Sequence, residues 1–394
     1  MRILTVGNMY PPHSLGGYEI VWKSAVAHLS EAGHDVRVLT TTFRLPDVVD
    51  EAEHAPICRD LDWYWRDGTW PRLSFRERLR IERRNARTFE WQRRDLQPEV
   101  ICWWAMGGMS LSLIERSRRH GDSSAFVVCD DWLLYGPQVD AWLRATNRFR
   151  LLNAPIERLV GLPARIDIED AGPWLFPSET VRKRALDGGW RLGDTTVCHQ
   201  GINPALFRPA PPRDWQDRLL YVGRLDPRKG VDLAIRVLPE LSDSTTLRVV
   251  GEGDRSYRSE LRELAHTIGV ADRVTFSAVP REELPAVYAA ADALIFPVRW
   301  TEPWGLVPLE AMAVGTPVIA TGRGGSGEYL EPGSNCLLFD PEAGPAALAK
   351  SVEALARDKT LRSRLREGGM QTSAKFGGDD FNLAVEDMIE RAAR

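Results

Sequence analysis

Two carboxylates stand eight positions apart in RWTEPWGLVPLEAMAVGTP, residues 299–317: Glu302 in a loop-like stretch before Gly305, and Glu310 inside a helix-like run. Earlier in the chain, LLYVGRLDPRKGVDLAI places Arg224 directly after an apolar run and Lys229 just before a glycine. Arginine can clamp two phosphate oxygens in its plane and lysine supplies a compact charge, so the pair suits a diphosphate. Only six of the 51 basic residues are lysine, which sets Lys229 apart from the chain's preference for arginine. A carboxylate one turn into a helix can accept from both hydroxyls of a vicinal diol. Plainer uses exist for each residue alone: a solvated turn for the cations, dipole complementation at a helix start for the glutamates. Four charged groups converging on one strand-end cleft favour a nucleotide diphosphate sugar over those uses.

The loops need a scaffold, and the pattern supplies one. ADALIFP reads as a strand ending near Pro297, and Gly305 and Leu306 start a helix whose first turn tolerates Pro308. The free amides of Gly305, Leu306 and Val307 can then hold a phosphate or a sugar hydroxyl. Around this segment strands and helices alternate: RLLYVGR, VDLAIRVLPEL, TLRVVGEG, YRSELRELAHTIG, RVTFSA, REELPAVYAAA, ALIFPV, GLVPLEAMAVG, PVIAT. Strict alternation implies a parallel sheet covered on both faces, with ligands beyond the C-terminal strand ends. The first half opens likewise with RILTVGN, the loop SLGGYE, a helical pattern and DVRVLTT, and continues with strands in PEVICWWA, SAFVVCDDW and WLFPSE. PALFRPAPP, residues 204–212, holds four prolines in nine positions and reads as the linker. The expected division is an N-terminal domain over 1–205, a C-terminal domain over 206–375, and a last helix of about 376–394.

A chain of 394 residues suits two domains, and 43% hydrophobic with 27% charged residues is a globular composition. No run of about 20 apolar residues could cross a bilayer. The N-terminus reads as a strand and not a signal peptide, since its short apolar stretch runs into Pro11 and Pro12. Five scattered cysteines without a CxxC pair point to a reducing cytoplasm and no cysteine zinc site. A net charge of −4 argues against nucleic acid as a partner. Residues 72–95 carry nine arginines against four acids over an apolar stripe of Phe75, Leu79, Ala86, Phe89 and Leu96. That segment is either an exposed helix face or a peripheral contact with an anionic membrane or acceptor.

GRLDPRKG, VVGEGD, the segment AADALIFPVRWTEPWGLVPLEAMAVGTPVIAT and GGSGEYLEPGSNCLLF resemble, in order and spacing, the C-terminal domain of family-four retaining glycosyltransferases. The two carboxylates match that family's Glu-x7-Glu motif; YPPHSLGGYE and CHQGINPALF extend the resemblance over nearly the whole chain. It implies an α/β protein of GT-B architecture: two Rossmann-like, doubly wound parallel-sheet domains facing across a cleft, with the last helix, about 376–394, packed back on the first. It also implies metal-independent transfer of a sugar from a nucleotide diphosphate to a hydroxyl acceptor, with no cofactor beyond the donor. In that scheme Arg224 and Lys229 hold the diphosphate, Glu310 the ribose hydroxyls, and Glu302 the transferred sugar, with Glu302, Arg224 and Lys229 the catalytic set. Gly16 and Gly17 would approach the phosphates through backbone amides, and the loop at Val279 would border the base. Where family members often carry a sugar-contacting histidine, this sequence has Asp130 and Asp131.

Eleven of fourteen tryptophans precede the linker, and LDWYWRDGTW, residues 61–70, concentrates four aromatic residues. Trp63, Trp65 and Asp130 are the candidates for acceptor contact, the plainer alternative for the aromatics being packing. Two other functions fit the same architecture: a nucleotide-sugar 2-epimerase, and a module that binds nucleotide sugars without turnover.

Overall fold

The computed structural model describes residues 1–46, 48–49, 54–66, 68–147 and 153–394, in two compact units. One comprises Met1–Cys198 with Phe381–Arg394, the other His199–Asp380. The division falls seven residues before the boundary expected from the prolines. The reason is pairing between segments distant in sequence: the backbone of Ile202 exchanges hydrogen bonds with Phe376 and Gly378, and the Gln200 carbonyl accepts from the Trp304 indole at 2.7 Å. Residues 199–203 therefore join the second unit before the proline-rich segment begins.

The first unit is built on β1 (Arg2–Val6), β2 (Asp35–Thr41), β3 (Ile57–Leu61), β4 (Val100–Trp103), β5 (Ser124–Val127), β6 (Trp174–Phe176) and β7 (Thr195–Val197). Their order is β3-β2-β1-β4-β5-β6-β7 and every pairing is parallel. Helix Gly17–Glu31 follows β1 and buries Val21, Trp22, Ala25, Val26 and Leu29. The last helix, Gly378–Ala393, buries Phe381, Val385, Met388 and Ile389. Its Glu386 bonds to His28 at 2.8 Å and His34 at 3.1 Å. Burial opposes ionisation of Glu386, yet these two bonds hold its carboxyl below the ordinary value.

The second unit contains β8 (Arg218–Val222), β9 (Thr246–Val250), β10 (Val274–Ser277), β11 (Ala293–Phe296), β12 (Val318–Ala320) and β13 (Leu337–Leu338), in the order β10-β9-β8-β11-β12-β13, all parallel. Successive side chains of a strand point to opposite faces, and here each face has its own apolar cluster. Leu219, Tyr221, Ala293, Ile295 and Ile319 join one; Leu220, Val222, Leu294, Phe296, Val318 and Ala320 join the other. That double burial is why β8, β11 and β12 read as continuous apolar runs.

Helix Phe75–Leu96 begins at a capping box between Ser74 and Glu77. Its buried face differs from the expected stripe: Phe75 is half exposed, while Glu82, Asn85 and Gln92 are buried beside Ala86, Phe89 and Leu96. Glu82 is tolerated there because the hydroxyls of Tyr64, Ser110 and Ser112 donate to it; burial raises its pKa. No helix among the described residues is long and apolar enough to cross a membrane.

Candidate functional site

In the second sheet the strand order reverses between β8 and β11, and ligands of open α/β sheets bind at such a switch point. The loops after those two strands carry the charged residues. Lys229 ends the short turn Pro227–Lys229, capped by the Asp226 side chain. Gly230 follows at φ 72°, and a β-carbon there would lie 2.0 Å from the Pro297 carbonyl, so glycine alone lets the two loops touch. The Arg299 amide then donates to the Arg228 carbonyl at 2.8 Å.

This contact brings Lys229 Nζ to 2.6 Å from Glu302 Oε2, which also accepts from the Trp300 indole at 2.7 Å. The Arg228 guanidinium and Lys229 ammonium lie 4.6 and 5.1 Å from the Trp300 ring centre. The backbone of Glu302 is fixed from behind by the Gly325 amide at 2.7 Å. Arg224 stands in the same loop, 3.4 Å from Asp226, which also holds Arg228 at 2.7 Å. Burial resists the Asp226 charge, but hydrogen bonds from Arg228 keep its carboxyl below the usual range.

Helix Leu306–Val314 starts where the sequence places it, with Gly305 against the Glu302 side chain. Glu310 is nearly fully buried and both its oxygens are engaged. Arg281 reaches Oε1 at 2.7 Å and the Tyr288 hydroxyl donates to Oε2 at 2.8 Å. Each oxygen keeps a second lone pair, so accepting a diol does not require that both partners leave. Tyr329 donates to the Gly305 carbonyl at 2.5 Å, and its own hydroxyl pKa is raised by burial first and then by Glu302 and Glu310. Leu306, Val307 and Val279 are half-buried beside this cluster. Spacing and residue type do not single out Arg281, Tyr288, Tyr329 or Trp300; Trp300, two residues from Glu302, carries the one usable signal.

The first sheet has its own switch point, between β1 and β4. There Asn8 of the β1 loop bonds to Ala105 and Gly107 of the β4 loop, at 2.8 and 3.2 Å. The Trp63 indole donates to the same Gly107 carbonyl at 3.0 Å. Trp63 and Trp65 lie with ring centres 4.8 Å apart, each meeting Phe43 at 5.8 Å. Gly16 and Gly17 are exposed at the start of helix Gly17–Glu31. After β5, Asp130 accepts from the Tyr135 hydroxyl at 2.8 Å and the Trp132 amide at 3.0 Å. Part of the residue is accessible, but its carboxyl is closely packed, and loss of hydration pushes its pKa up to about 6. Asp131 is engaged differently, in a two-armed ion pair with Arg184.

Residues 204–372 match the family model described as glycosyl transferases group 1. An uncharacterised glycosyltransferase of Methanocaldococcus jannaschii is 31% identical over 395 residues, covering 92% of this chain and 90% of that protein. The D-inositol 3-phosphate glycosyltransferase of Xylanimonas cellulosilytica is 32% identical over 64% of this chain; the match spans about half, 55%, of that relative's length. Among solved structures, sucrose-phosphate synthase from Thermosynechococcus elongatus superimposes with a TM-score of 0.76 at 23% identity, over 99% of this chain and 98% of that one. The Anabaena protein HepE in complex with UDP-glucose gives 0.73 at 18% identity, over 99% of both. At these identities the structural likeness speaks for the fold.

Proposed function

The chain belongs to the group 1 glycosyltransferases, and from that premise we propose that it transfers a sugar from a nucleoside diphosphate to an acceptor hydroxyl, retaining anomeric configuration and using no metal. The observation that carries the reading is the meeting of Lys229 with Glu302 at the switch point, beside Arg224 and the start of helix Leu306–Val314. Arg224 and Lys229 take the diphosphate, Glu310 the ribose diol, and Glu302 the transferred sugar.

In the reaction the bond from the anomeric carbon to the diphosphate oxygen breaks, and the acceptor oxygen bonds to that carbon on the same face. The acceptor's proton passes to the departing phosphate. Charge builds on the diphosphate, where Arg224, Lys229 and the amides of Gly305, Leu306 and Val307 stabilise it by preorganised electrostatics. Acceptor recognition falls to the first unit, where Trp63 and Trp65 offer apolar faces. Helix Phe75–Leu96 exposes Arg76, Arg80, Arg83 and Arg87 together with Trp91, a surface suited to an anionic acceptor or membrane.

The test is incubation with a panel of nucleotide sugars, beginning with UDP-glucose, with and without candidate acceptors. Nucleoside diphosphate released in step with a glycoside of retained configuration supports the proposal. Epimer formation without acceptor supports the 2-epimerase reading, and binding without turnover supports the sensing module.

A further inference from the structure

The second unit has a cation-lined cavity at the other end of its sheet from the loops of Arg224 and Glu302. It lies where β8, β11 and β12 begin, with a volume of about 80 Å³. Helix Lys359–Ser373 presents Lys359, Arg362, Ser363 and Arg366 to it, the i, i+3, i+4, i+7 spacing of one helix face. Arg213 enters from the proline-rich segment, so four cations face the cavity against the single carboxylate of Asp292.

That carboxylate does not neutralise the set. Asp292 accepts from the amides of Gln216 and Arg218, both at 2.8 Å, and stands 3.6 Å from Arg213. Lys359 reaches Asp214 at 3.3 Å in a pair whose side chains are both largely exposed, an interaction of little strength. Arg362 and Arg366 bond only to backbone carbonyls: Arg362 to Leu355 and Ala356, Arg366 to Gly315 and Ala210. Neither has a carboxylate partner among the described residues. Burial already lowers the pKa of Arg366, whose guanidinium occupies the space a β-carbon at Gly315 would need, 2.2 Å away. Trp215 and Pro211 form an apolar wall, with Arg362 over the Trp215 ring at 5.7 Å.

We propose that this cavity is a second anion site, which binds the phosphate group of a small phosphorylated molecule between Lys359, Arg362 and Arg366 and packs its body against Trp215. Planar guanidiniums without acid partners are suited to phosphate oxygens, and the Ser363 hydroxyl adds a donor. The site is separate from the donor loops and does not depend on their reading.

Calorimetry with glucose 6-phosphate and, separately, inorganic phosphate tests it on the wild-type chain and on Lys359→Glu, Arg362→Gln and Lys229→Ala. Lys359 is largely exposed, so its variant keeps the fold. The expected result is binding that Lys229→Ala leaves unchanged and Lys359→Glu weakens roughly tenfold or more. Preference for the ester identifies a phosphorylated small molecule; equal binding of inorganic phosphate identifies the free anion, and the site stands in either case. Binding of neither probe overturns the proposal and leaves Arg362 and Arg366 as clamps on the backbone. Binding lost in Lys229→Ala but kept in Lys359→Glu overturns it too.

Discussion

The Lys229 ammonium and the Glu302 carboxylate, 73 positions apart in sequence, stand 2.6 Å apart with side chains only 18% and 10% exposed. A pair so shielded holds its two loops together, whatever it does in the proposed transfer. Lys229→Ala should therefore lose about 10²–10³ in turnover by withdrawing charge from the leaving group. It should also lose about 1–3 kcal/mol of stability by leaving a shielded carboxylate without its cation, with only the Trp300 indole still donating to it. Adding Glu302→Gln should restore the melting temperature and not the activity. Parallel recovery of both would mean that the pair is structural.

The proposed scheme gives Glu310 the other task. With Arg281 and Tyr288 already fixing its orientation, Glu310→Gln should weaken nucleoside diphosphate binding by roughly 1.5–3 kcal/mol, the cost of one charge-assisted contact. Glu302→Gln should instead lower turnover with little change in that affinity. Calorimetry on both variants checks this, and equal losses of affinity would show the division of roles to be mistaken.

What could be read before the structure follows from what is local. Apolar runs buried on both faces announce β8, β11 and β12, and Gly305 before a helical run announces Leu306–Val314. The partnerships between loops could not be read, because Lys229–Glu302 and Arg281–Glu310 depend on strand order and not on spacing. Glu82 misleads for a related reason: its hydroxyl donors come from Tyr64, Ser110 and Ser112, outside its own helix. The prolines at 204–212 mark an irregular segment correctly, yet the unit boundary is set by pairing of Ile202 with Phe376 and Gly378.

Trp65→Ala should raise the acceptor's KM and leave donor affinity almost unchanged, since Trp65 touches Phe43 and Trp63 within the first unit. Trp63→Ala is the less clean variant, because it also removes the hydrogen bond to Gly107. Steady-state kinetics with calorimetry for the donor separates the two effects. Unaltered acceptor kinetics in Trp65→Ala would reduce the aromatic group to packing.

Asp130 gives a pH prediction with a definite sign. Its folded pKa of about 6 lies above the ordinary 3.8, so ionisation in the folded chain is a cost, full above pH 6 and absent below about pH 4. Asp130→Asn should then stabilise the protein at pH 8, by on the order of 2 kcal/mol after allowance for partial access of solvent, and have little effect near pH 4. Melting curves across that range decide it; a gain that grows as pH falls would contradict the burial argument.

Under the proposed roles of Arg224 and Lys229, turnover should survive EDTA, since two fixed cations would do the work of a divalent ion on the diphosphate. Activity lost to the chelator and restored by magnesium or manganese would refute metal independence while leaving the family unaffected.

The return of Phe381–Arg394 to the first unit has a consequence for biosynthesis. Residues 199–380 are continuous, so the second unit has all its sequence once translation passes Asp380. The first unit, begun earlier, lacks the helix that places Glu386 between His28 and His34 until its codons are read. On the ribosome the order of completion is thus the reverse of the order of synthesis: the unit that starts first waits for the unit inserted within it.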